Sequence, residues 1–402
     1  MQATRTVNSD ITWVGSNDRR LALFENMFPI PNGVSYNAFV IRDEKTALID
    51  TEDSSVLVQF EENVLAALGG RKLDYLIIDH MEPDHCAGIG RMLERFPDAK
   101  MVGNPKTFTF FEQIYDTKLP EERKLVVKEG DVLSLGRHEL TFVMAPMVHW
   151  PEVMMTFDKT DGILFSADAF GSFGAMNGNL FDDEVNFDAR WMEDARRYYT
   201  NIVGKYGPQV QAVLKKAQGL DIKMLAGLHG PVWRKNIPMI LDKYQHWSTY
   251  TPEDPKSVVV YYASMYGNTE SMAEALMAQL AERGVKDIKA YDVSKTDKSY
   301  LIAEAFRAGY LVFASVTYNN GLYPKMKEFI EDMGALNLQN RKASVLGNGT
   351  WMPQSERIMR EMLTALKGFD VSEKTVVVKS SLPRANACVL SEIADDIVSR
   401  IG

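Results

Sequence analysis

Four potential metal ligands fall within six residues in His80-Met81-Glu82-Pro83-Asp84-His85. Imidazole nitrogens and carboxylate oxygens at this density suit a transition metal, and packing them together without one would be electrostatically costly. In an extended or turning loop alternate residues point the same way, so His80, Glu82 and Asp84 are expected to converge while His85 faces a neighbouring centre. Pro83 stiffens the loop and limits the entropy lost on binding. Three further candidates, His149, Asp168 and His229, each follow an apolar run and lie near small residues or glycine. Together these are four histidines and three carboxylates, enough for two metals if one carboxylate bridges. Mixed imidazole and carboxylate ligation fits iron, manganese or zinc, and spacing does not separate iron from zinc. Cys86 and Cys388 are the only cysteines, too few for a four-thiolate site. His138 and His246 lack such company and read as structural.

A second constellation lies further along. The apolar run Ser257–Tyr262 leads into Ala263-Ser264-Met265-Tyr266-Gly267-Asn268-Thr269, a hydroxyl-rich loop feeding a helix. Backbone amides and hydroxyls at a helix N-terminus suit a phosphate monoester. The dinucleotide fingerprint and a Walker lysine are both absent, which disfavours NAD and ATP. Two later loops, Ser315-Val316-Thr317-Tyr318-Asn319-Asn320-Gly321 and Gly347-Asn348-Gly349-Thr350-Trp351, also follow apolar runs. Tyr318 and Trp351 can flank a flat ring, with the loop amides bonding its polar edge.

These residues need elements to position them. At 402 residues the chain has room for two or three domains of about 100–200 residues. Its 46% hydrophobic and 25% charged content excludes disorder as the dominant state. No apolar run approaches a membrane span, no secretory signal is visible at Met1-Gln2-Ala3-Thr4-Arg5, and a net charge of −9 argues against nucleic-acid binding. Sparse cysteine points to a reducing, cytoplasmic setting. Prolines 252 and 255 in the polar stretch 248–256 mark a linker, so domains are expected at 1–251 and 252–402. In the first, strands are expected at 46–50, 75–79, 100–103, 140–143 and 162–165, with helices at 56–68 and 193–205. In the second, strands are expected at 257–262, 288–291, 310–314, 343–346 and 374–378, alternating with helices such as 269–283 and 356–367. Five such alternations predict a parallel, doubly wound sheet, with ligands at the strands' carboxyl ends.

With His-x-Glu-x-Asp-His in view, the chain resembles the flavodiiron proteins, or A-type flavoproteins, over essentially its whole length. Hydrolytic relatives of the first fold usually carry histidine where Glu82 stands. Phe170-Gly171-Ser172-Phe173-Gly174 and Arg196-Arg197-Tyr198-Tyr199 are also similar to the family, whereas Cys86-Ala87-Gly88 departs from its commoner Ser-Gly or Ala-Gly. The resemblance implies an α/β chain, with an N-terminal metallo-β-lactamase-like αββα domain followed by a flavodoxin-like doubly wound parallel sheet. It implies two Fe ions, one on His80, Glu82 and His149, the other on Asp84, His85 and His229, with Asp168 bridging. Tyr198 would donate a hydrogen bond to bound substrate or oxide. FMN would be held by Ser264, Met265, Tyr266, Gly267, Asn268, Thr269, Val316, Thr317, Tyr318, Asn319, Gly321, Asn348, Gly349, Thr350 and Trp351. No cysteine occurs in those loops, so a thioether link is not expected.

The implied activity is reduction of dioxygen to water, of nitric oxide to nitrous oxide, or both. The chain shows no rubredoxin or NAD-binding module, so an external donor such as rubredoxin is expected. The short, proline-containing linker, together with the resemblance, implies a head-to-tail homodimer or a dimer of dimers. Two rival readings remain: a metallo-β-lactamase-class zinc hydrolase fused to a flavodoxin-like domain, and a non-catalytic flavin electron carrier.

Overall fold

The computed structural model describes residues 2–383 and 387–402. The chain forms two compact units, Met1–Tyr199 with Pro208–Tyr244, and Thr200–Gly207 with Gln245–Gly402.

The first unit is built on two mixed sheets. In the seven-stranded sheet, Thr46–Ile49 is buried at every position, as its unbroken apolar run requires of a strand covered on both faces. It pairs antiparallel with Phe39–Arg42 and parallel with Tyr75–Ile77, which pairs parallel with Lys100–Gly103. Helix Leu57–Leu68 covers this sheet with Phe60, Val64, Ala67 and Leu68, an i, i+4, i+7, i+8 stripe, and stops at Gly69 in the left-handed region. Each large apolar side chain buried there contributes about 1.5–3 kcal/mol. The five-stranded sheet includes Glu139–Met144, Met154–Asp158, Ile163–Phe165 and Met224–Ala226, the last two parallel. The expected helix over 193–205 is instead an α-helix Met192–Tyr198, a wide π turn Tyr199–Val203 and a 3-10 turn Gly204–Tyr206.

In the second unit the parallel sheet runs in the order Ile288–Asp292, Asp254–Ala263, Ala308–Tyr318, Lys342–Asn348, Asp370–Val371. Residues alternate strictly between its faces. Val259, Tyr261, Leu311 and Phe313 pack with Phe329, Met333 and Met359, whereas Val258, Val260, Tyr310 and Val312 pack with Leu276, Leu280, Ile393 and Ile397. Helices therefore cover both faces, the doubly wound arrangement. The last expected strand is shorter, Val376–Val378, because Ser372 turns the chain, accepting from the Lys374 amide, before pairing with Lys342–Asn348 resumes.

Candidate metal and flavin sites

All seven residues singled out as metal ligands lie beyond the carboxyl ends of strands, Asp84 and His85 in a short helical turn and the others in loops. His80 follows Tyr75–Ile77, His149 follows Glu139–Met144, Asp168 follows Ile163–Phe165, and His229 follows Met224–Ala226. Every one is at least nine-tenths buried. They fall into two groups whose ligand atoms lie within 4.8 Å of one another: His80, Glu82, His149 and Asp168, and Asp84, His85 and His229.

One expectation is corrected. Asp84 does not converge with His80 and Glu82, because the loop is not extended. Pro83 opens a helical turn, Pro83–Cys86, with the His85 and Cys86 amides both bonded to the Glu82 carbonyl. The turn sends Asp84 and His85 to the second group and leaves Glu82 in the first.

Within the first group Glu82 Oε2 lies 2.9 Å from His149 Nε2 and 3.2 Å from His80 Nε2. Asp168 divides its carboxylate. Oδ2 is 3.1 Å from His149 Nε2, and Oδ1 is 3.1 Å from His85 Nε2 and 3.6 Å from His229 Nε2. Asp84 Oδ2 stands 3.3 Å from His229 Nε2 and 3.4 Å from His85 Nε2.

The ring tautomers fit a metal. His80 donates Nδ1–H to Glu152 Oε1 at 2.8 Å, and His229 donates Nδ1–H to the Ser35 carbonyl at 2.8 Å, so both rings turn an Nε2 lone pair inward. His85 Nε2 and His229 Nε2 face each other at 3.1 Å, a spacing that suits two nitrogens directed at one cation. Both Asp84 oxygens are buried without a hydrogen-bond partner. Burial opposes charge throughout, yet His149 and His80 hold the Glu82 carboxyl far below its usual range, and His85 and His80 do the same for Asp168. Conversely, Asp168 and Glu82 push the His149 ring up to about 9 against burial. The cage is built for positive charge.

Sequence reasoning missed several supporting groups. Glu152 also accepts from the Met81 amide at 2.9 Å; its acid type beside an apolar run, three residues after His149, was the available signal. Asp50 Oδ1 accepts from the Asp79 and His80 amides. Glu25, between the strands Leu23–Phe24 and Phe28–Pro29, hydrogen-bonds Glu82, and burial plus the Glu82 charge push its carboxyl up to about 8. Tyr198, singled out from sequence, is fully buried, its ring 5.3 Å from that of His229, and its hydroxyl has no hydrogen-bond partner. Phe24 and Phe173 enclose that ring edge-on. His138 lies outside both groups, bonded to Asp158 at 2.9 Å.

In the second unit the three hydroxyl- and amide-rich loops meet around a cavity of about 590 Å³. Its lining includes Ser264, Met265, Tyr266, Asn268, Thr269, Val316, Thr317, Tyr318, Asn319, Asn348, Gly349, Thr350 and Trp351. Asn320 and Ser380 line it too, although not singled out from sequence. Gly267 and Gly321 do not line it. Gly267 caps helix Asn268–Glu282 at φ 90° and offers no side chain, leaving the first amides of the helix unclaimed by a capping group, and Gly321 pairs with Tyr318 in a short ladder. Trp351 is 73% exposed and Tyr318 41%, more than free aromatic rings normally leave in water, which fits a flat ring between or beside them. Free amides at the helix start suit a phosphate and the exposed aromatics suit a flat ring, the two ends of FMN.

Residues 34–230 match the family described as ODP family beta lactamase, and residues 260–387 match flavodoxin. The anaerobic nitric oxide reductase flavorubredoxin of Aeromonas hydrophila is 34% identical over 373 residues, 91% of this chain and 74% of the relative. That of Vibrio vulnificus is 34% identical over 355 residues, 86% and 70% of the two chains. Among solved structures, the rubredoxin oxygen:oxidoreductase of Desulfovibrio gigas superposes with a TM-score of 0.92 at 27% identity, covering 99% of this chain and 98% of the other. The flavodiiron protein of Giardia intestinalis also gives 0.92, at 25% identity, covering 99% and 96%.

Proposed function

The chain belongs to the flavodiiron protein family, and we propose that it reduces dioxygen to water, nitric oxide to nitrous oxide, or both, with electrons from an external donor such as rubredoxin. The observation that carries this reading is the divided carboxylate of Asp168, one oxygen toward each histidine group. His80, Glu82 and His149 would hold one iron, and Asp84, His85 and His229 the other. FMN would sit in the cavity after Tyr262, its phosphate at the start of helix Asn268–Glu282. When bound, flavin supplies electrons singly or in pairs and an iron pair passes two together to a small diatomic molecule.

The chain's own groups would set the conditions. Tyr198 would donate its unpartnered hydroxyl to an oxygen atom held at the cage. The Phe24 and Phe173 rings would keep bulk water from that side. Glu152 and the Ser35 carbonyl would hold His80 and His229 in the ligating tautomer.

We place the division of labour at residue 252, with 1–251 for the metals and 252–402 for the flavin, in a cytoplasmic protein. No helix among the described residues is long and apolar enough to cross a membrane. The chains would pair head to tail, each flavin serving its partner's irons. Mixing a variant lacking iron (His80→Ala with His149→Ala) with one altered at Ser264 and Thr269 should restore activity after subunit exchange; no recovery despite confirmed exchange would defeat the pairing.

Metal analysis should return about two irons per chain and, after denaturation, free FMN. Anaerobically reduced protein mixed rapidly with each gas should reoxidise with at least one of them, and alanine at the metal ligands should abolish this. Zinc in place of iron in iron-replete preparations would favour the hydrolase reading, and gas-independent flavin cycling the electron-carrier reading.

A further inference from the structure

The first unit holds a cavity of about 500 Å³ that none of the seven candidate ligands lines. That volume falls in the range of about 300–1,000 Å³ in which small organic ligands are bound. Its base is backbone. The Gly174 amide donates to the Gly33 carbonyl at 3.0 Å and the Ala175 amide to the Asn32 carbonyl at 2.9 Å, which lays the two segments side by side. Both glycines are fixed by this crossing, at φ 72° for Gly33 and 110° for Gly174. A Cβ on Gly33 would stand 2.4 Å from the Asp18 carbonyl oxygen, and one on Gly174 2.9 Å from Trp191 Cζ3. Trp191, nine-tenths buried, and Val185 supply an apolar wall.

The rim carries positive charge that no carboxylate neutralises. Arg19 and Arg190 both line the cavity, both are exposed, and neither forms an ion pair, in a chain where acids outnumber bases 54 to 45. Neutral acceptors hold Arg19 in place: its Nη2 donates to the Met176 carbonyl at 2.6 Å and to Asn177 Oδ1 at 3.1 Å, leaving Nε and Nη1 for a ligand. Arg190 has no hydrogen-bond partner, so its whole fork is available. The acid in the lining, Asp194, is already committed. Its Oδ1 lies 3.3 Å from Arg197 Nη2, and its Oδ2 accepts from Asn32 Nδ2 at 3.3 Å. Three asparagines complete the rim. Asn32 keeps its amide oxygen unused, Asn177 its amide nitrogen, and Asn179 both.

Two guanidinium groups without a counter-charge call for an oxyanion, and their planar forks match phosphate. Amides that both donate and accept match hydroxyls, and an indole wall suits the carbon face of a small ring. We propose that this cavity binds a phosphorylated molecule of about sugar size, its phosphate on Arg19 and Arg190 and its hydroxyls on the asparagine amides. Inorganic phosphate would leave the asparagines and the Trp191 wall unused, and an uncharged sugar would leave both arginines unpaired. The site goes beyond the function proposed above and does not rest on it.

Calorimetric titration of the iron- and FMN-loaded protein at neutral pH tests this with ribose 5-phosphate, inorganic phosphate and ribose as probes. Ribose 5-phosphate should bind about tenfold more tightly than inorganic phosphate, and ribose should give no saturable heat. Arg19→Ala and Arg190→Ala should each weaken ribose 5-phosphate by about tenfold or more, the scale of a lost charge-assisted bond, with iron and FMN content unchanged. Asn179→Ala should weaken ribose 5-phosphate and leave inorganic phosphate as it was. Absence of saturable binding by either phosphate would overturn the site. So would binding that survives both arginine changes, since that places the anion at the metal cage or the flavin cavity instead. Inorganic phosphate binding as tightly as ribose 5-phosphate would overturn the assignment of a sugar-sized ligand.

Discussion

Asp168 Oδ1 lies 3.1 Å from His85 Nε2, while the other oxygen of the same carboxylate lies 3.1 Å from His149 Nε2. A residue shared in this way cannot be lost by one group alone. Asp168→Ala should lower iron content at both positions and remove activity. Iron quantified on the purified variant, with spectroscopy separating coupled from isolated ions, checks this; one fully occupied, unperturbed iron would contradict the sharing.

Glu152 holds the His80 ring through Nδ1 and the Met81 amide through the same oxygen. Glu152→Ala should free the ring to rotate and weaken metal retention by about 10–100-fold. The rate of iron loss to a chelator measures it. Glu152→Gln keeps one acceptor and should lose less.

The flavin loop should respond to loss of hydroxyls. Ser264 Oγ accepts from the Gly267 amide, and Thr269 Oγ1 accepts from Asn348 Nδ2, so each side chain also shapes the loop. Replacing both with alanine should weaken FMN binding by about 10–100-fold for each charge-assisted bond lost, on the usual 1.5–3 kcal/mol scale. Fluorescence titration of the flavin-free protein reads this directly.

Stability should depend on pH through His138, which is remote from both metal groups. Burial opposes charge on this ring, but Asp158, at 2.9 Å from Nδ1, more than offsets it and raises the pKa. The folded value then exceeds the unfolded value of about 6.5, so the contribution is complete below that pH and is lost as pH rises through the folded value. Denaturant midpoints measured at about pH 6 and about pH 9 should fall more steeply in the wild type than in His138→Gln. Equal slopes would show that the ring does not titrate in this range.

The sequence made the candidate ligand groups legible because their cluster is local and the remaining members sit at ends of short apolar runs, where α/β folds place ligands. Alternation alone put Asp84 with His80 and Glu82, against the grouping with His85 and His229 that the family resemblance implied, because alternation assumes an extended chain and Pro83 starts a helical turn instead. Glu25, Asp50 and Ser35 were invisible for a different reason: each reaches the cage from another part of the chain through one side chain or one carbonyl, and nothing in its neighbours marks it. The π turn after Tyr198 was hidden because a one-residue change of phase barely alters an apolar pattern. In the second unit the β–α alternation was plain, and of the flavin-loop glycines Gly349 lines the cavity whereas Gly267 and Gly321 lie beside it, since a glycine needed for chain direction looks the same in sequence as one that faces a ligand.

His229 takes its Nδ1 partner from Ser35, 194 residues earlier, and the Gly230 amide bonds the Ser35 hydroxyl. Asn37 reinforces the junction, donating to the Gly227 and Gly230 carbonyls at 2.7 and 2.9 Å. A nascent chain exposes His80 to His85 long before it exposes His229, and closing so long a loop is among the slower steps of folding. Until then Asp84 and His85 lack the third member of their group. The second ligand group is thus complete only when the chain closes on residue 229, so damage at the Ser35–Asn37 junction, far from the ligands in sequence, would open the same group.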